Sequence, residues 1–236
     1  MRKTIAHAIL TGTMMLACFG AAPAQASPIY VKGHGLGVAN LEIMAPFYFR
    51  AFAGQLLLDT GAPDASDDFY AFCVDATRSR DLTQDMTTRP LSELPDLGNP
   101  AAVVQAGAGA RVAWLLNTYA NDTWFATDGD NKAAALQLAI WEVLYTPFGG
   151  YDIAGGDFRL VYGGAYPSLL SYANTYFGAL GSNGSDATWY DTIDREAETG
   201  QDFAAPIPTP EPGTLVLFGS GLLGLARATR RRRPLQ

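Results

Sequence analysis

From Ile29 to Thr60 the chain is dense in Val, Leu, Ile, Phe and Tyr, is interrupted by Gly33, Gly35, Gly37 and Gly54, and holds no sustained helical period. This pattern predicts several strands joined by glycine-based turns. Asp59 to Asp68, DTGAPDASDD, reads as an acidic loop, and Phe69 to Asp75, FYAFCVD, as a further buried strand with Cys73 on its rim. Arg78 to Pro100 is polar and punctuated by Pro90, Pro95 and Pro100, which predicts a long connection. Asn99 followed by Pro100 has the form of a helix N-cap with proline at the first helical position.

The period then changes. Beyond Gly107 and Gly109, Val112, Leu115, Leu116 and Tyr119 fall at i, i+3, i+4 and i+7, one face of an amphipathic helix. Asp128 to Asn131 predicts a turn in which Asp130 or Asn131 caps a helix starting near Lys132. That helix, KAAALQLAIWEVLY, is apolar on nearly every side, so it should be central and buried, ending before Pro147. Gln137, Trp141 and Tyr145 lie on one stripe of it. A third helix is expected from Pro167 to Leu180 with Leu169, Ala173, Tyr176 and Leu180 inward, then a loop from Gly181 to Gly184 and a strand from Asp186 to Ile193. Asp194 to Pro210 reads as an exposed, acidic, proline-bearing linker. Together these elements predict an α+β domain: an antiparallel sheet or sandwich in the N-terminal half with a small helical subdomain from about Ala101 to Leu180.

The two ends have a different character. Arg2 and Lys3, an apolar run from Ile5 to Phe19 and the exit Ala24, Gln25, Ala26 have the layout of a secretory signal, which puts the mature N-terminus at Ser27. A competing reading, lipidation at Cys18, requires Met15 where a lipobox usually has Leu. At the other end Pro210, Glu211 and Pro212 precede an apolar stretch, Gly213 to Ala226, and then Arg227, Arg230, Arg231, Arg232 and Arg233. This order resembles the PEP-CTERM sorting signal of exported proteins of Gram-negative bacteria, which implies an exosortase-type processing enzyme as partner. As a helix the apolar stretch would span about 21 Å against a hydrocarbon core of roughly 30 Å, short for a permanent anchor. The arginines would hold it transiently in the inner membrane, with membrane contact confined to this tail. The expected organisation is a signal over residues 1–26, a domain over 27–193, a linker over 194–209 and the sorting signal over 210–236.

Removing the ends sharpens the charge. Between Ser27 and Pro212 stand 9 Lys+Arg and 23 Asp+Glu, a net charge of −14, against −7 for the whole chain. Such a surface repels nucleic acid and anionic lipid and gives no reason to expect a nucleic-acid partner. Over the same span Cys73 is the lone cysteine and His34 the lone histidine. An internal disulfide is excluded and a Cys/His zinc site nearly so; no metal and no cofactor is expected.

Two strings carry candidate chemistry: FCVD around Cys73 and LQLAIWEVLY around Gln137. They resemble the paired signatures of thioester domains, surface adhesin modules in which a cysteine sulfur is joined to the side-chain carbonyl of a glutamine. The resemblance rests on Phe72 with Cys73, and on Gln137 with Ala139, Ile140 and Trp141. It departs from many such domains at Leu136, where threonine often precedes the glutamine. It implies a covalent adhesin that modifies itself rather than a turnover enzyme, with an amine-bearing surface protein as partner. Asp75 would raise the Cys73 pKa, so buried tyrosines, Trp141 or backbone N–H groups are the candidate helpers. The bond would close a loop of about 65 residues, which the chain-entropy account values at about 4 kcal/mol before strain. The plain alternative is a buried free cysteine and a glutamine that hydrogen-bonds to backbone.

Three rival readings start elsewhere. Asp59, Thr60, Gly61 and Ala62 spell the D-T-G-A string of retroviral-type aspartic proteases, although a strand followed by a glycine turn explains it as well. Asp64, Asp67 and Asp68, or Asp128 to Asn131, could offer oxygen ligands to Ca²⁺, but neither completes an EF-hand loop. Trp124, Tyr151, Tyr162 and Trp189 would be the sugar-stacking aromatics of a non-reactive exopolysaccharide or biofilm matrix protein, if exposed.

Overall fold

The hydrophobic N-terminal stretch forms two long strands on which the remaining elements are hung. The computed structural model describes residues 26–44, 48–61, 67–76, 78, 83–94, 106–146, 149–156, 158–161, 163–180, 186–192, 200–207 and 220. Strands β1 (Ser27–Met44) and β2 (Tyr48–Asp59) pair antiparallel from Tyr30 opposite Asp59 to Met44 opposite Tyr48. The glycines expected to make turns instead lie inside these strands. Gly37 stands opposite Gly54, both at positive φ, and a side chain on Gly54 would begin 2.2 Å from the Leu36 carbonyl oxygen. The register shifts on either side of this point, so the glycines permit bulges that bend one long hairpin.

The sheet continues through β3 (Asp68–Cys73), β4 (Thr83–Pro90), β5 (Arg159–Leu160), β6 (Thr188–Thr192) and β7 (Phe203–Ala205), in the order β2-β3-β7-β6-β4-β1-β5. Every pairing is antiparallel. Because β1 also pairs with β2, six strands close a ring and β5 adds to the far end of β1. Closure leaves few free edges.

Two of these strands fall where the sequence pattern predicts connections. β4 occupies the polar segment read as a loop; its alternation is real but thin, with Gln84 and Met86 buried and Thr83 and Asp85 exposed. β7 lies in the stretch expected to be an exposed linker, with Phe203 and Ala204 fully buried between β3 and β6. A three-residue strand has no period to detect. The flanking Asp202 gives no help either: its carboxylate is consumed inside the fold, accepting from the Trp189 indole at 3.2 Å and from the Thr192 N–H at 2.9 Å.

Among the described residues four helices form the second layer: α1 (Ala108–Tyr119), α2 (Asp122–Phe125), α3 (Gly129–Tyr145) and α4 (Pro167–Ala179). In α1 the expected face is the buried one, with Val112, Leu115 and Leu116 in the core and Tyr119 packed against it. Gly109 is inside this helix rather than before it, pressed so close to the Leu91 carbonyl that a Cβ would lie 2.0 Å from its oxygen. The expected cap at Asn99 and Pro100 lies outside the described residues.

As the all-round apolar pattern predicts, α3 is central, buried from Lys132 through Leu144 and packed on β1 and β2 as well as on α1 and α4. It starts three residues earlier than expected, after Asp128 in the left-handed conformation, and Asn131 donates to the Asp128 carboxylate instead of capping. Lys132 can be buried because its ammonium donates to the Trp124 carbonyl (2.8 Å) and the Thr127 hydroxyl (3.1 Å) and lies over the Trp124 ring. In α4, Leu169, Ala173 and Tyr176 face inward as expected.

Candidate functional site

Cys73 is the last residue of β3, and β3 is held on both sides: β2 pairs with its first part, and β7 receives Phe72 and Cys73 opposite Ala204 and Phe203. Phe72 is fully buried and fixes the strand end in the core. Beyond Cys73 the chain turns away, and that turn is pinned from three directions. Val74 N–H donates to the Asp202 carbonyl (3.0 Å), Ala76 N–H to the Tyr145 hydroxyl oxygen (3.0 Å), and Gln201 Nε2 to the carbonyls of Asp75 and Arg78 (2.9 Å each).

The Gln137–Trp141–Tyr145 stripe of α3 faces this strand end. Gln137, 1% exposed, is latched to Cys73 by two hydrogen bonds: Cys73 N–H donates to Gln137 Oε1 at 3.0 Å, and Gln137 Nε2 donates to the Cys73 carbonyl at 2.7 Å. The carboxamide thus stands where the next strand's backbone would, and its carbonyl is already polarised by a buried N–H. The Cys73 thiol donates to the Asp75 carbonyl at 3.0 Å. Trp141, one turn along, is 2% exposed, and its indole N–H has no hydrogen-bond acceptor among the described residues.

Burial pushes the Cys73 thiol well above its ordinary value, and the negative charge of Asp75 pushes it further. The Asp75 carbonyl and the Trp141 indole pull the other way without prevailing. Asp75 is itself buried, 3.4 Å from the Arg78 guanidinium. Tyr145 is likewise raised, by burial first and then by Asp75. A group that stays protonated in the fold contributes stability that is intact below its unfolded pKa and is lost as pH climbs toward the folded one. The melting temperature should therefore fall as pH rises through and beyond about 10, the ordinary tyrosine value. In Tyr145→Phe that alkaline decline should be shallower, as thermal melts at stepped pH would read out.

A cavity of about 440 Å³ opens against this pair. Buried Cys73, Gln137 and Trp141 line it together with exposed His34 and Arg50 and half-buried Phe49, Phe52 and Arg78. His34 stacks on Phe52 with ring centroids 4.0 Å apart, and Arg50 is paired with Glu42. A small nucleophile thus has a route from solvent to the Cys73–Gln137 contact. Sequence reasoning missed Gln201, hidden in the supposed linker, and the Phe49, Arg50 and Phe52 wall, which reads as ordinary strand. Arg78 carried a weak signal, three residues after Asp75.

The other candidates have protein partners. Asp59 is fully buried at the end of β2, accepts from Gly61 N–H at 2.8 Å and faces the Lys32 ammonium at 3.6 Å. That is a strand-end turn in which Asp59 and its cross-strand partner Asp68 share the Lys32 ammonium. Asp68 accepts from Lys32 at 2.8 Å and Asp130 from Gly37 N–H at 3.1 Å; Asp64 lies outside the described residues. Among the described residues no three of His, Cys, Asp and Glu cluster as metal ligands. Of the proposed sugar-stacking aromatics, Trp189 is completely buried, Trp124 and Tyr151 pack against the core, and Tyr162 lies outside the described residues. Burial removes Trp189 from that set, and Trp124 and Tyr151 are partly buried.

Residues 208–233 match the PEP-CTERM protein-sorting motif. This chain carries an export and sorting signal. It is an exported protein, held transiently in the membrane before processing, and the motif is one that an exosortase processes. Pro210, Glu211 and Pro212 fall within the match but outside the described residues. Among the described residues no helix is long and apolar enough to cross a membrane. No curated protein matches the chain. Among solved structures it is similar to the N-terminal thioester domain of fibronectin-binding protein SfbI from Streptococcus pyogenes, at 10% identity and a TM-score of 0.47, over 79% of this chain and 97% of that one. It is also similar to the N-terminal thioester domain of a protein F2 like fibronectin-binding protein from Streptococcus pneumoniae, at 11% identity and a TM-score of 0.45, over 79% of this chain and 98% of that one.

Proposed function

We propose that Cys73 and Gln137 close an internal thioester, and that the exported chain is a covalent adhesin at the surface of a Gram-negative cell. The observation that carries this reading is the two-way latch between the Gln137 carboxamide and the Cys73 backbone, at 3.0 and 2.7 Å in the floor of an open cavity. A glutamine serving only its own helix would have no need of the one cysteine in the described fold.

In the forming step the Cys73 thiol gives up its proton and the thiolate attacks Gln137 Cδ. The negative charge passes to Oε1, where the Cys73 N–H already donates, an oxyanion donor that needs no rearrangement. The C–N bond then breaks and nitrogen leaves with the thiol's proton as ammonia. In the capturing step an amine enters by the cavity, attacks the same carbonyl and expels sulfur. Its proton returns to the thiol, and an amide joins the two molecules. A hydroxyl of an exopolysaccharide would give an ester by the same route. The product is permanent, which suits attachment rather than turnover.

The intact mass of the secreted protein tests this directly. The expected mass is that of the processed chain less one ammonia. A full mass, with Cys73 titratable in freshly prepared protein, rejects the thioester and leaves the latch as a structural contact.

A further inference from the structure

Cys73 has to become an anion twice, as the thioester forms and again when a nucleophile expels it. Its surroundings oppose this both times: the site is buried, and Asp75 stands two residues away with a buried carboxylate. Without a compensating donor the sulfur is both a poor nucleophile and a poor leaving group.

Two donors stand at the reaction centre, and they face different atoms. Cys73 N–H is committed to Gln137 Oε1, the carbonyl oxygen. The Trp141 indole N–H is buried, lines the same cavity and has no acceptor among the described residues. Leaving a buried N–H unpaired costs about 1–3 kcal/mol, so native folds keep few of them. Trp141 lies four residues after Gln137, so the two side chains share one helical stripe, and both line the same cavity as Cys73.

Resting on the thioester reading above, we propose that the Trp141 indole N–H is a catalytic donor held vacant for the Cys73 sulfur, binding it only while it carries negative charge. An interaction absent from the neutral states and made in the charged one lowers the barrier without stabilising the ground state. The division of labour is then complete. The peptide N–H of Cys73 serves the oxygen, and the indole N–H of Trp141 serves the sulfur, in forming the bond and in opening it.

The test uses the secreted protein after exhaustive methylamine treatment, which leaves a free Cys73 thiol whether or not a thioester had formed. Iodoacetamide alkylation of Cys73 is followed against pH in the wild type and in Trp141→Phe. Loss of a charge-assisted hydrogen bond should move the alkylation midpoint to higher pH and slow the reaction at pH 8 by about tenfold or more. Opening by methylamine beforehand should slow to a similar degree. Coincident pH midpoints in the two proteins would overturn the proposal, since a merely structural role for the ring shifts overall rates but not the midpoint. Should Trp141→Phe fail to fold, benzothienylalanine at position 141 keeps the bicyclic shape without the N–H and must give the same displacement. The thioester reading is judged separately, by the wild-type mass before methylamine.

Discussion

Replacing Cys73 with alanine is expected to abolish covalent uptake of methylamine completely, while the domain still folds. The wild type, treated with methylamine, should gain the reagent at Gln137 and expose one titratable thiol. Cys73→Ala should keep the full mass of its sequence, take up nothing, and leave the carboxamide of Gln137 intact. Its fold survives because both latch bonds from the Cys73 side are made by backbone, which alanine retains. Peptide mapping reads the site. Methylamine carried by Cys73→Ala, or found at any residue other than Gln137, would separate the reactivity from this pair.

Gln137→Leu should be the more damaging substitution of the two, and that ranking is informative. If the covalent bond were all that mattered, removing either partner would cost the same, about 4 kcal/mol for a loop of this length. But Gln137→Leu also strips the buried Cys73 N–H and carbonyl of their partners. Each orphaned group costs about 1–3 kcal/mol, so Gln137→Leu should fall roughly 2–6 kcal/mol below Cys73→Ala in denaturant unfolding. Equal stabilities would mean the two hydrogen bonds contribute nothing beyond positioning.

The central helix, the α1 face and the inward residues of α4 were legible because each buries a long stretch with one period, and a period survives translation into sequence. Cys73 and Gln137 were legible as strings for a related reason, since an aromatic before the cysteine and an A-I-W after the glutamine are local. β4 and β7 were not. β4 turns a polar face outward along most of its length, and β7 is three residues long, too short to display alternation. Both exist because neighbouring strands offer them unpaired backbone groups, a reason that lies in other parts of the chain. The glycines of the first hairpin were misread on the same ground: only the opposing strand reveals that Gly37 and Gly54 meet across a bulge.

By itself, then, the amino-acid order determined the address and the ingredients: the sorting tail, a strongly acidic domain, a single cysteine on a strand and a glutamine on a buried helix. Tertiary structure alone decided that these last two meet, 64 positions apart in the chain and with 3.0 Å between their hydrogen-bonding atoms. It alone made Gln201 a clamp on the turn after Cys73 and left the Trp141 N–H without an acceptor among the described residues. The physical reason is common to all three. Helical and strand periods are written by neighbours within a few residues, whereas hydrogen-bond satisfaction in a core is settled by whichever distant groups the packing brings together.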